Sequence, residues 1–326
     1  MSTLQTAGRK SLMLFSGRSF PELADEIAGH LGVTVTPTRA YDFANGEIFI
    51  APNESVRGSD AFVVQSIHRR PNHWMMETLI MVDALKRASA KRITVVLPFY
   101  PYARQDKKHR GREPISARLM ADLLKTAGAD RIMAVDLHTA QIQGFFDGPV
   151  DHLFALPVLA EHIKQRYAGT DFVVVSPDTG RVRMAEQWAD RIGGAPIAFI
   201  HKSRDPLVPN KVVAHRVVGD VEGQSCLLID DMIATGGTIV QAAEVLFDAG
   251  AKEVVIAATH GELSPPATDR LKNSNVTEVV ITNTLPISSE QAFDKLTVLS
   301  VAPLIARAIR EVFEDGSVTS LFDGRS

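Results

Sequence analysis

Two adjacent carboxylates, Asp230 and Asp231, close an apolar run in LLIDDMIATGGT, Leu227 to Thr238, and Ala234, Thr235, Gly236, Gly237 and Thr238 follow at once. Backbone N–H groups in a glycine-containing loop that opens a helix bind phosphate well. The two threonine hydroxyls add donors. The aspartates would repel that phosphate if they touched it. They make sense beside a different part of the same ligand, such as sugar hydroxyls, which donate to carboxylates. A phosphorylated sugar satisfies both halves of the stretch. Acidic residues capping a helix are the plainer alternative.

Other stretches carry charge in comparable places. PFYPYARQDKK, Pro98 to Lys108, gathers Arg104, Lys107 and Lys108 behind an apolar run. That group can engage phosphates or form a solvated basic surface. VDLHTAQIQGFFDGPVDH sets Asp136 and His138 at a run's end, with Asp147 and Asp151 beyond. Histidine with carboxylates can hold a divalent cation, and Mg²⁺ on nucleotide phosphates needs only one or two protein ligands. A strand-end histidine in a structural hydrogen bond is the alternative. VVVSPDTGRVR supplies Asp178, a second candidate carboxylate for a metal or its waters. FANGE, Phe43 to Glu47, reads by itself as a β-turn.

The elements that must position these groups are legible as short apolar, β-branched runs: SLMLFSG, DAFVVQSI, RITVVLPF, RIMAVDLH, DFVVVSPD, APIAFIH, CLLIDD, EVVIAATHG and EVVITNT. Stretches of helical period separate most of them. HWMMETLIMVDALKRA puts Met76, Ile80 and Leu85 near one face; ISARLMADLLKTAG and GTIVQAAEVLFDAG end in glycine, a usual helix stop. Alternating strand and helix predicts an α/β fold with mainly parallel sheets, whose ligands sit at the carboxyl ends of the strands. TAGADRIMAVDLH resembles DAGAKEVVIAATH. This weak repeat fits either any two βαβ units or two similar halves, 1–155 and 156–326, joined near Asp151 to Leu156. The final segment would be able to pack back on the first half.

Composition bounds the rest. The chain has 326 residues, 45% of them hydrophobic, and a net charge of −3, which is ordinary globular composition with no global pull toward nucleic acid. The single cysteine, Cys226, excludes an internal disulfide framework and a cysteine-based zinc cluster, and is expected to be buried and inert. No run approaches a membrane span of about 18 apolar residues. No secretory signal pattern opens the chain, so a cytoplasmic enzyme with no membrane partner is expected. A GxxxxGK[ST] P-loop and a protein-kinase catalytic loop are both absent.

Taken in order, FANGE, PYARQD, VDLHTAQIQGFFD, VVSPDTG and IDDMIATGGT resemble the motifs of the class I ribose-phosphate pyrophosphokinases, and the resemblance spans nearly the whole chain, from LFSG to SLFDG. The loop motif alone resembles the phosphoribosyl diphosphate loop of many type I phosphoribosyltransferases. The resemblance implies two similar phosphoribosyltransferase-like α/β domains, the first on the ATP and Mg²⁺ side and the second carrying the ribose 5-phosphate loop. It implies transfer of the β,γ-diphosphate of ATP to the anomeric hydroxyl of ribose 5-phosphate, releasing AMP. Residue by residue, Asp230, Asp231 and Ala234 to Thr238 would hold ribose 5-phosphate. Arg104 and Gln105 would bind ATP, and Phe43, Asn45, Gly46 and Glu47 would meet its adenine from a neighbouring subunit. His138 and Asp178 would serve Mg²⁺. Lys202 and Arg204, in IHKSRDPLVPNKV, would act from a closing catalytic loop. The resemblance further implies homo-oligomers, dimers assembling to hexamers, with inorganic phosphate and ADP as effectors. Ser55, Arg57, Ser317 and Ser320 fall at candidate positions for that anion site.

The chain departs from the family pattern in places. Ala234 stands where aspartate is common, HKSR replaces the commoner DKRR, Asp205, Pro206 and Pro209 follow it, and His109 replaces a carboxylate seen in some members. Two other readings stay open: a phosphoribosyltransferase that consumes phosphoribosyl diphosphate, and a non-catalytic regulatory homologue of the synthetase.

Overall fold

A computed structural model describes residues 10–108, 110–204 and 212–322. The chain divides into two compact units, one of Met1–Leu153 with Ala302–Ser326 and one of Phe154–Val301.

In the first unit the chain runs β1 (Leu12–Ser16), α1 (Pro21–Leu31), β2 (Thr38–Asp42), β3 (Ile48–Pro52), β4 (Asp60–Val64), α2 (Pro71–Arg87), β5 (Arg92–Leu97), α3 (Ser116–Ala127), β6 (Arg131–Val135) and β7 (Val150–Leu153). Five parallel strands form its sheet in the order β1-β4-β5-β6-β7, while β2 and β3 make a separate antiparallel hairpin. Phe15, Val63, Val95 and Ala134 pack in one core with residues of α2 and α3. Their strand neighbours Leu14, Phe62, Val96 and Met133 are equally buried, because side chains alternate across a strand and this sheet is covered on both faces.

Helix α2 corrects one expectation. Its buried residues are Met75, Thr78, Met81, Val82 and Leu85, at i, i+3, i+6, i+7 and i+10, with Glu77 beside them. Met76 is 51% exposed. The inward face is therefore turned by one residue from the one that the sequence suggested.

The second unit continues with α4 (Leu156–Arg166), β8 (Phe172–Ser176), α5 (Val182–Arg191), β9 (Ile197–Arg204), β10 (Val212–Val218), β11 (Ser225–Ile233), α6 (Gly237–Asp248), β12 (Glu253–Gly261), α7 (Ala267–Asn273), β13 (Glu278–Thr282) and β14 (Leu296–Leu299). Its sheet has the order β10-β9-β8-β11-β12-β13-β14, parallel except for the edge pair β9–β10. Helix α8 (Ala302–Phe313) then rejoins the first unit, where it packs against α1 and β7. Its buried residues Ala302, Leu304, Ile305, Ala306, Ala308 and Ile309 form the apolar stripe of a helix laid on a core.

The two similar stretches occupy matching places: each runs from a helix end through a turn into a strand, α3 to β6 and α6 to β12. Their histidines differ. His260 is buried within β12, its Nδ1 2.9 Å from Thr284 Oγ1, whereas His138 stands beyond β6 and is half-buried. Cys226 is fully buried in β11, and burial pushes its thiol up to about 11.

Candidate active site

In the second unit the strand order reverses between β8 and β11: β8 leads through α5 to β9 on one side, and β11 through α6 to β12 on the other. A crevice outside the carboxyl ends of such a strand pair is the usual ligand position in open α/β sheets. Asp178 follows β8, and Asp230 and Asp231 lie near the end of β11.

The acid pair is desolvated. Asp231 has 3% of its side chain exposed and Asp230 16%. Burial, and then the adjacent Asp231 charge, hold the Asp230 carboxyl well above the usual carboxylate range. Arg181 answers both carboxylates: its Nη2 is 2.8 Å from Asp231 Oδ1 and its Nε 3.7 Å from Asp230 Oδ1. Asp178 Oδ1 accepts the Gly180 N–H at 2.8 Å and so fixes the 3-10 turn Thr179–Arg181.

The loop from Ala234 to Gly236 is braced from one side by the segment after β12. Leu263 and Ser264 donate N–H groups to the carbonyls of Ile233 and Ala234 at 3.1 and 3.0 Å. Arg270 on α7 donates Nη1 to the Thr235 carbonyl at 3.0 Å. Gly236 has φ +73°, and a Cβ there would meet Ala267 Cα at 3.3 Å, so both conformation and space ask for glycine. The Val240 N–H reaches the Gly236 carbonyl as the first helical bond. The N–H groups of Gly237, Thr238 and Ile239 at the head of α6 therefore fall outside the helix's own ladder, where an anion can take them.

In the first unit, two loops at the carboxyl edge of the sheet are locked together. Asp106, 5% exposed, accepts from Thr139 Oγ1 at 2.8 Å and from Gln141 Nε2 at 2.6 Å. This ties the loop bearing Arg104 and Gln105, after β5, to the one bearing Asp136 and His138, after β6. Arg104, Gln105, Lys107 and Lys108 are exposed. Gln105 Oε1 accepts from Ser116 Oγ at 2.6 Å. His152, at the end of β7, accepts the Leu137 N–H on Nε2 at 2.9 Å, which holds the β6 loop from its other side. Asp151 does not join this group: it sits within β7, opposite Met133, and takes both Arg131 contacts at 2.8 and 2.9 Å.

FANGE forms the tip of the β2–β3 hairpin. The Phe43 N–H reaches the Glu47 carbonyl at 2.7 Å, the Glu47 N–H reaches Asn45 Oδ1 at 3.1 Å, and Gly46 takes φ +89°. Phe43 is 46% exposed and packs edge-on against Tyr41 at 5.2 Å, while Tyr41 stacks on Phe49 at 4.9 Å. Arg18, next to the hairpin, donates to Asp42 Oδ1 at 2.5 Å and to the fully buried Glu77 at 2.7 Å.

Lys202 and Arg204 are among the last residues of β9, opposite His215 and Val212 of β10. Their side chains lie outside the described residues, as do Asp205, Pro206, Pro209 and His109. Ser55 and Arg57 are exposed in the turn that feeds β4. Ser317 and Ser320 follow α8, where Ser320 Oγ donates to the Ser317 carbonyl at 2.6 Å. Arg181 and Arg270 are the residues that sequence reasoning missed. Arg181 stood inside a quoted motif, but nothing local tells that β8 and β11 are neighbours. Arg270 carried no signal at all.

Known proteins resemble this chain along nearly its whole length. Residues 12–128 match the N-terminal domain of ribose phosphate pyrophosphokinase, and residues 200–323 match the phosphoribosyl synthetase-associated domain. The ribose-phosphate pyrophosphokinase of Streptomyces coelicolor is 66% identical over 324 residues, covering 99% of each chain. That of Mycobacterium tuberculosis is 65% identical over the same span. The crystal structure of phosphoribosylpyrophosphate synthetase from Mycobacterium smegmatis superimposes with a TM-score of 0.90 at 64% identity, covering 94% of this chain and 100% of that one. With two domain models and full-length relatives in agreement, the chain belongs to the ribose-phosphate pyrophosphokinase family.

Proposed function

We propose that this chain joins ATP to ribose 5-phosphate, and that the residues described above divide the work as follows. The sugar's anomeric oxygen forms a bond to the β-phosphorus while the bond between that phosphorus and the α,β-bridging oxygen breaks. The β,γ-diphosphate moves, AMP leaves and the hydroxyl proton is released. Asp230 and Asp231 accept sugar hydroxyls. The amides at the head of α6, with Thr235 and Thr238, take the 5-phosphate. The observation that carries this reading is the meeting, at the strand-order switch, of a buried acid pair with an open helix head.

Arg104 and Gln105 bind the ATP, and the FANGE tip of a neighbouring subunit offers an exposed ring, an amide and a carboxylate to its adenine. Lys202 and Arg204 supply positive charge to the transferring group, since phosphoryl transfer is helped mainly by alignment and by charge on the developing anion. Among the described residues no group of three or more His, Cys, Asp or Glu is arranged for a metal. That suits Mg²⁺ held largely by phosphate oxygens and water, with His138 and Asp178 as single protein donors. Such an ion, when bound, neutralises phosphate charge.

Assembly as dimers and hexamers, control by inorganic phosphate and ADP at Ser55, Arg57, Ser317 and Ser320, and a cytoplasmic setting complete the proposal. Among the described residues no helix is long and apolar enough to cross a membrane. Neither a phosphoribosyltransferase nor a regulatory homologue is favoured by the full-length relatives. Product analysis with ATP, Mg²⁺ and ribose 5-phosphate, with and without inorganic phosphate, tests the reaction. AMP and phosphoribosyl diphosphate are expected in equal amounts with no nucleobase added. Release of ADP instead, or a requirement for a nucleobase, would overturn it.

A further inference from the structure

Arg181 bridges two parts of the same crevice. It closes the 3-10 turn that Asp178 pins through the Gly180 N–H. From there its side chain, 21% exposed, crosses from the end of β8 to both carboxylates on β11. Adjacent carboxylates withdrawn from water disfavour being ionised together, and a guanidinium fixed between them offsets that cost. The contact is also directional. Arg181 addresses Oδ1 of Asp230 and Oδ1 of Asp231, and a planar guanidinium with fixed N–H directions orients the groups it holds.

We propose that Arg181 is a positioning residue of the ribose site: its guanidinium holds Asp230 and Asp231 turned so that their remaining oxygen lone pairs receive the sugar hydroxyls. The inference rests on reading the acid pair as the ribose site. It assigns Arg181 no contact with the reacting atoms. Loss of the guanidinium then weakens ribose 5-phosphate and leaves ATP alone. The effect travels through the aspartates, so it disappears when they are already altered.

Steady-state kinetics with both substrates varied tests this on the full-length enzyme and its R181M, R181K, R181Q, D231N and R181M/D231N variants, each checked by thermal melting. R181M is expected to raise KM for ribose 5-phosphate by at least about tenfold, the scale of one charge-assisted contact. KM for ATP should stay within about twofold, well under that tenfold step. R181K should recover much of the loss, and the double variant should be little worse than D231N. If R181M does not fold, R181K against R181Q makes the same comparison. An unchanged KM for ribose 5-phosphate in R181M, beside a raised one in D231N, would sink the role of Arg181 and leave the ribose site standing. Equal damage to both substrates' KM, or additive effects in the double variant, would also reject it. D231N without effect on KM for ribose 5-phosphate would remove the ribose-site reading itself.

Discussion

Ala234 is tied into the fold through its carbonyl, which accepts the Ser264 N–H, while the next two residues are held by Arg270 on the Thr235 carbonyl and by Ala267 under Gly236. None of these contacts uses a side chain at 234. The alanine that stands where relatives of this motif commonly carry aspartate is therefore compatible with the loop's backbone conformation. Introducing Ala234→Asp should change kcat/KM for ribose 5-phosphate by less than about tenfold, or about 1.4 kcal/mol. A much larger gain would mean that the loop as it stands is impaired. At this scale the sequence shows which candidate residues stand together locally, because acid pair, loop glycines and strand-end residues sit in contiguous motifs. It carried the supporting partners poorly. Arg270 is bound through a carbonyl on a different element, and Glu77 lies fully buried inside α2, where it takes N–H groups from Arg18 and Gln65. Contacts of that kind depend on which elements become neighbours.

Elements were legible wherever an apolar run fills a strand buried on both faces, as in β4, β8 and β13. The hairpin strands β2 and β3, and the edge strands β7, β10 and β14, went unread. β2 (TRAYD) and β7 (VDHL) are short and largely polar, and an edge or hairpin strand need not be apolar on both faces. A second device at this scale is the clamp at the end of α8. Asp315 pairs with Lys10 and, at 3.1 Å, with Arg92 at the amino end of β5, which also holds Asp60 at the amino end of β4. Hydrogen bonds from Lys10 and then Arg92 hold the Asp315 carboxyl below its ordinary range. Because the folded value is depressed, the clamp is at full strength above the unfolded carboxylate pKa and fades as pH falls through the folded one. The protection of amides in the last turn of α8, taken relative to intrinsic exchange at each pH, should fall on acidification through that window. Asp315→Asn should show the lower protection already at neutral pH, and identical protection in the variant would discount the clamp.

Across the molecule, one surface feature is out of keeping with a free face. Ile115, which caps α3, and Leu119 and Leu123 on it recur at i, i+4 and i+8 and are 36%, 52% and 36% exposed, and Met76 on the neighbouring α2 is exposed as well. A contiguous apolar stripe at helical spacing suits a subunit contact. We propose this stripe as a subunit contact: Leu119→Glu should lower the mass read by light scattering, and an unchanged mass would reject the contact. The two-unit division has a consequence for how the protein is made. Helix α8 covers α1 and β7 of the first unit but follows the whole second unit in the chain. The second unit's strands and helices are all translated before it. A nascent chain can thus close its second unit while the first still lacks one of its helices, and removal of α8 should destabilise the first unit before the second.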